Sequence, residues 1–121
     1  MQVQVNTDHN IAGHEALGVH VSDVVKAALS RFSEHITRVE VHLTDEISHK
    51  SGQNDKRCVM EARLEGRQPV AVTHHAATLH QSVDGAADKL VRLIGSTLER
   101  LHDRRSRAAD PSAPEAELPE V

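Results

Sequence analysis

Val3 and Val5 alternate with Gln2, Gln4 and Asn6. A period of two places one face of a strand on a core and the other in water. A polar connection containing Asn10 and Gly13 follows. From about 15 to 32 the period lengthens: Leu17, Val21, Val24, Val25, Ala28, Leu29 and Phe32 form one helical stripe. The valines are poor intrinsic helix formers, so this helix depends on packing. Residues 36–44 return to alternation, with Val39, Val41 and Leu43 against Arg38, Glu40 and His42. Residues 45–56, with Ser48, Ser51, Gly52, Asn54 and Asp55, read as a mobile loop. Cys58, Met60, Ala62 and Leu64 then share one face of a third strand. Gly66 marks a tight turn, and Pro69–Thr73 make a short last strand, the proline suiting a strand start or an edge.

Thr78 and Gln81 form a T-x-x-Q capping box, in which each side chain satisfies a backbone donor left over at a helix start. Leu79, Val83, Ala87, Leu90, Ile94, Leu98 and Leu101 continue at helical spacing, predicting a helix over 78–102 that Gly85 and Gly95 weaken. The order is β-α-β-β-β-α. Short links between the last three strands favour hairpins. Each strand has one apolar face and each helix one apolar stripe. An α+β fold follows, a four-stranded sheet with both helices packed on one face and the other face wet.

The 121 residues fit one domain, over 1–107. Residues 108–121 contain three prolines and no large aromatic group, and read as a disordered acidic tail that adds little stability. Phe32 is the only aromatic residue, so the core is aliphatic. No apolar run reaches the roughly 18–20 residues of a membrane span, and the N-terminus lacks the pattern of a signal peptide. Cys58 is the only cysteine and cannot form an internal disulfide. These features predict a cytoplasmic protein of bacterial type.

The formal net charge is -4. Asp110, Glu115, Glu117 and Glu120 account for it, since without them 14 acidic residues balance 14 Lys and Arg. A neutral body is no general polyanion binder, but cations gathered on one face still bind RNA. Lys89, Arg92 and Arg100, with Ser96 between them, fall along one strip of the second helix. Arg104, Arg105 and Arg107 continue the charge past it. Lys26 lies on the polar side of the first helix, with Arg31 nearby. These cations are read either as a solvated face or as phosphate contacts between two packed helices. The helix dipole also favours cations at a C-terminus for structural reasons alone.

Other chemistry is not supported. Ten histidines are scattered without a recognisable zinc ligand set, and read as surface groups with no bound metal. Cys58, on the apolar side of its strand, reads as a buried thiol. Glu40 and Glu61 sit near Arg38 and Arg63, where cross-strand charge pairing explains them better than acid-base catalysis. No Gly-rich phosphate loop or nucleophile elbow appears. No enzyme, cofactor or small-molecule substrate is predicted.

The element order, Glu15-Ala16-Leu17 opening the first helix, and Asp84-Gly85-Ala86-Ala87-Asp88-Lys89-Leu90-Val91-Arg92 in the second resemble the ribosome hibernation-promoting factors. That family includes the ribosome-associated inhibitor and was formerly called sigma-54 modulation proteins. The likeness covers about residues 1–102 and is to the short form, without a C-terminal dimerisation domain. It implies a β-α-β-β-β-α fold similar to double-stranded-RNA-binding domains. It also implies a translational silencer in the small-subunit decoding channel of idle ribosomes, under stress or in stationary phase. The partners implied are the small subunit and its 16S rRNA, contacted through basic residues of the two helices. Lys89 and Arg92 match that pattern; Lys26 matches approximately. Family members usually carry several lysines on the first helix, where this chain has Lys26 and Arg31, and many have an aromatic where it has His80. The RNA-binding expectation is therefore placed on Lys26, Arg31, Lys89, Arg92 and Arg100. The competing expectation is a protein-interaction or stress-regulatory module that kept the fold without strong rRNA binding.

Overall fold

The sheet is built on its two longest strands, because these carry the most regular alternation. In the computed structural model, which describes residues 1–8, 11, 13–45 and 56–109 (with side chains at all but 14 and 102–109), the elements are β1 (Gln2–Thr7), α1 (His14–Ala28), β2 (Ile36–Asp45), β3 (Lys56–Leu64), β4 (Val70–Ala76) and α2 (Leu79–Ala109). The strand order is β1-β2-β3-β4. β2, β3 and β4 pair antiparallel as successive strands, and β1 pairs parallel to β2. A parallel neighbour requires a crossover, and α1 supplies it. The loop expected over 45–56 falls mostly on 46–55, outside the described residues.

One face of the sheet is dry. Val39, Val41 and Leu43 of β2 and Cys58, Met60, Ala62 and Leu64 of β3 join Val21 and Val25 of α1 and Val83, Leu90 and Ile94 of α2 in one buried cluster. Both helices therefore share one face of an α+β fold, as the two stripes require. Among the described residues Ser82 is the buried polar one, and its hydroxyl donates to the Leu79 carbonyl at 2.7 Å.

Several boundaries differ from the sequence pattern, for local reasons. α1 ends at Ala28, and Ser30–Phe32 form one 3-10 turn; the stripe continues to Phe32, but the last turn tightens, as helix ends often do. β4 runs on to Ala76, beyond Thr73, because Lys56, Arg57 and Cys58 of β3 pair with Ala76, His75 and His74. α2 continues to Ala109, so Arg104, Arg105 and Arg107 lie within the helix, not past it, and the boundary expected at 107 falls inside α2. The rest of the tail, 110–121, lies outside the described residues. Of the capping box, the Thr78 half is formed: the Gln81 amide donates to Thr78 Oγ1 at 3.1 Å.

On the open face, charges pair along β2 more than across it. Arg38 faces Arg63 and Glu40 faces Glu61 in the register. These two cross-strand pairs have like charge, contrary to the expected pairing, whereas Lys56 Nζ and Asp45 Oδ1, also opposite each other, pair at 3.2 Å. Glu40 instead joins Arg38 on its own strand, and His42 Nε2 lies 3.6 Å from Glu40 Oε1.

The two glycines of α2 have different surroundings. A Cβ on Gly85 would clash with the His74 ring, whereas one on Gly95 would meet Phe32 at an ordinary 3.5 Å. Gly95→Ala should therefore raise stability by up to about 1 kcal/mol through helix propensity. Gly85→Ala should lower it by about 1–2 kcal/mol through overpacking, and His74→Ala should restore the loss. Urea midpoints of the three variants check this; equal stabilisation by both alanines would contradict the His74 contact.

Cys58 is fully buried, and burial pushes its thiol up to about 12. An unfolded thiol ionises near about 8.5. Between roughly pH 9 and pH 12 the unfolded chain loses a proton that the folded chain keeps, so stability present below that window falls as pH rises, by about 1.4 kcal/mol per unit. Wild type should lose more stability than Cys58→Ala between pH 8 and pH 10 in denaturant titrations. Parallel losses would mean the thiol is not held protonated.

Candidate nucleic-acid interface

The two helices lie side by side on the sheet and run parallel. Their contacts occur in the same chain order. His20 of α1 meets His80 of α2 with ring centroids 4.5 Å apart. Further along, Phe32 and the Arg31 guanidinium approach Gly95. At that end a cleft opens between the 3-10 turn, the β3–β4 turn and α2.

The cleft is lined by the partly or fully buried Phe32, Leu64, Val91 and Leu98, and by exposed charges of both signs. Arg31, Arg67 and Arg92 are the cations, and Glu34, Glu65 and Glu99 the anions. The Arg31 guanidinium carbon stands 4.6 Å from the Phe32 ring centroid, a cation–π distance that limits where this long side chain points. The residue as a whole remains exposed.

All five expected RNA-contacting residues are exposed, but they do not form one group. Arg31 and Arg92 come together in the cleft, with Ser96 beside them. Lys89 does not line it; its ammonium donates to the Thr73 carbonyl at 2.9 Å, tying α2 to the edge strand β4. Lys26, in the last turn of α1, and Arg100 also lie outside the cleft lining. Lys89, Arg92 and Arg100 all lie on α2, but helical spacing does not show that β4 holds Lys89. Arg67 and the three glutamates were not picked out from the sequence. Glu99 lies on α2 itself, Glu34 follows the 3-10 turn, and Glu65 and Arg67 belong to the turn after β3, so only packing brings the four to one cleft.

Among the described residues, no three His, Cys, Asp or Glu side chains are placed to hold a metal, and no helix is long and apolar enough to cross a membrane. What the arrangement offers is a set of exposed guanidinium and ammonium groups on a two-helix layer. Arginine's planar fork suits phosphate oxygens, and lysine meets them as a point charge.

Solved structures share this fold. A ribosomal subunit interface protein from Coxiella burnetii superposes with a TM-score of 0.61 at 15% identity, over 82% of this chain and 99% of its own. The N-terminal domain of Protein Y from Thermus thermophilus gives a TM-score of 0.54 at 21% identity, over 78% of this chain and 96% of its own. No individually curated protein matches the chain. The family described as sigma 54 modulation protein / S30EA ribosomal protein matches residues 4–102. This span takes in most of β1, all of β2, β3, β4 and α1 and most of α2, and the chain belongs to the sigma 54 modulation protein / S30EA ribosomal protein family.

Proposed function

We propose that this protein is a ribosome-associated translational silencer of the cytoplasm. It occupies the small-subunit decoding channel of idle ribosomes, under stress or in stationary phase, and contacts 16S rRNA phosphates. The observation that carries this reading is membership of a ribosomal family over nearly the whole folded body. Exposed Lys26, Arg31, Lys89, Arg92 and Arg100 on the helix layer supply the charge. The activity is binding: the protein acts by occupying space that mRNA and tRNA would need.

A second reading has one observation behind it. Glu34, Glu65 and Glu99 accompany the arginines in the cleft, and a surface of mixed sign suits a protein partner better than a polyanion. Co-sedimentation with purified ribosomes across a salt series separates the two. rRNA contact predicts saturable binding that weakens steeply with salt, because neutralised phosphates release counterions. Absence of binding at low salt would leave the protein-interaction reading.

A further inference from the structure

Arg92, Gly95, Ser96 and Glu99 all line the cleft. They stand three or four residues apart along α2, so they form one row on one side of the helix. The row runs from a cation to an anion. Two turns separate these, about 10 Å at about 1.5 Å per residue. Gly95 leaves a gap between them, and the opposite wall reaches into it. Phe32 Cζ lies 3.5 Å, and Arg31 Nη2 3.9 Å, from where a Cβ on Gly95 would stand. The Arg31 guanidinium lies over the Phe32 ring. Arg31, Arg92 and Glu99 are exposed, and none of them forms an ion pair among the described residues. Both signs of charge are therefore open to a ligand, on either side of a flat stacking surface.

We infer that this cleft holds one unstacked guanine nucleotide of the RNA the protein binds; the ribosome-binding reading supplies the identity of that RNA. The phosphate meets Arg92, the base lies on the Arg31–Phe32 pair beside Gly95, and the Watson–Crick edge reaches Glu99. Splayed-out bases are held by stacking on aromatic rings and guanidinium planes, but stacking tolerates every base. The carboxylate makes the choice, because it only accepts hydrogen bonds. Guanine offers it two adjacent donors, N1–H and the N2 amino group. Adenine and cytosine place an acceptor beside their amino group, and uracil flanks its one N–H with two carbonyls. Two turns of helix are comparable to the reach of a nucleotide from phosphate to base edge. A cleft of mixed sign is thus what a ligand with an anion at one end and paired donors at the other requires.

The test titrates the full chain with three five-nucleotide RNAs, UUGUU, UUAUU and UUUUU, at low salt, followed by amide NMR shifts. UUGUU should bind about tenfold tighter than the others, the discrimination expected of one bidentate base contact. Its binding should move the amides of Phe32, Gly95 and Ser96 and leave those of β1 in place. Glu99→Gln should bring the three RNAs within about twofold of one another, since an amide sets a donor against one of guanine's donors. Arg92→Gln should weaken all three alike and keep the preference. Equal binding of the three RNAs by wild type would overturn the inference, and so would a preference that survives Glu99→Gln. Failure of all three to bind would also overturn it, leaving the cleft to a protein partner. Ribosome co-sedimentation separates this inference from the reading it rests on. A guanine preference without ribosome binding upholds the cleft and removes the ribosome reading; ribosome binding without the preference does the reverse.

Discussion

Replacing Leu90 with alanine should remove about 2–5 kcal/mol of stability and lower the melting temperature by ten degrees or more. Leu90 is fully buried in α2, in the cluster that also holds Met60 and Ile94. Its loss removes the transfer free energy of the side chain and leaves a cavity that fixed neighbours only partly fill. The surroundings make the loss large. Phe32 is the only aromatic residue, so no big ring can swing into the gap, and the core relies on many small aliphatic contacts. Domains of this size have a stability of order 10 kcal/mol, and each kilocalorie per mole shifts the midpoint by about 4–8 °C in a domain of 60–100 residues. Leu101→Ala, at a half-exposed position one turn past the sheet-packed part of α2, should cost far less. Calorimetry of the two variants decides. A loss below about 1 kcal/mol at Leu90 would mean that α2 does not dock as described, since deletion of a fully buried leucine costs more than that.

That contrast also shows where the sequence was legible. Leu90, Ile94 and Val83 are spaced three or four apart and fall in the core because a helix face is set by local spacing alone. The alternation of Val39, Val41 and Leu43 fixed the dry face of β2 in the same way. Helix ends were less readable. Asp103 to Ala109 carry no apolar stripe, yet α2 persists through them, since Arg and Ala have high intrinsic helix propensity. Charge pairing was less readable still. Arg38 and Glu40 alternate with valines as expected, but the register that sets Arg63 and Glu61 opposite them runs unbroken from the Asp45–Lys56 end of the hairpin and does not follow from alternation alone. The candidate interface was half legible: the positions of Lys89 and Arg92 on α2 follow from spacing, while the Thr73 carbonyl that holds Lys89 belongs to a strand sixteen residues earlier.

Ribosome binding by a Lys89→Ala, Arg92→Ala double variant should fall by on the order of tenfold or more at moderate salt. A plot of log affinity against log salt should flatten by about one to two units, because each lost phosphate contact removes roughly 0.7–0.9. The two substitutions should not contribute alike. Arg92 is exposed in the cleft beside Arg31, so its removal should alter binding with little cost to folding, and Arg92→Lys should keep most of the slope because it keeps the charge. Lys89 gives one of its three N–H donors to Thr73. Its alanine variant therefore loses a tie between α2 and β4 as well as a charge, and should show a small drop in melting temperature that Arg92→Ala lacks. Circular dichroism at the assay temperature establishes that each variant is folded before binding is compared. Unchanged affinity and slope in a folded double variant would remove Lys89 and Arg92 from the rRNA surface. The same loss at every salt concentration would mean that shape, not phosphate charge, carries the contact. Loss of binding confined to Arg92→Ala would place the surface on the Arg31–Arg92 cleft, and leave Lys89 as the group that holds α2 to the edge of the sheet.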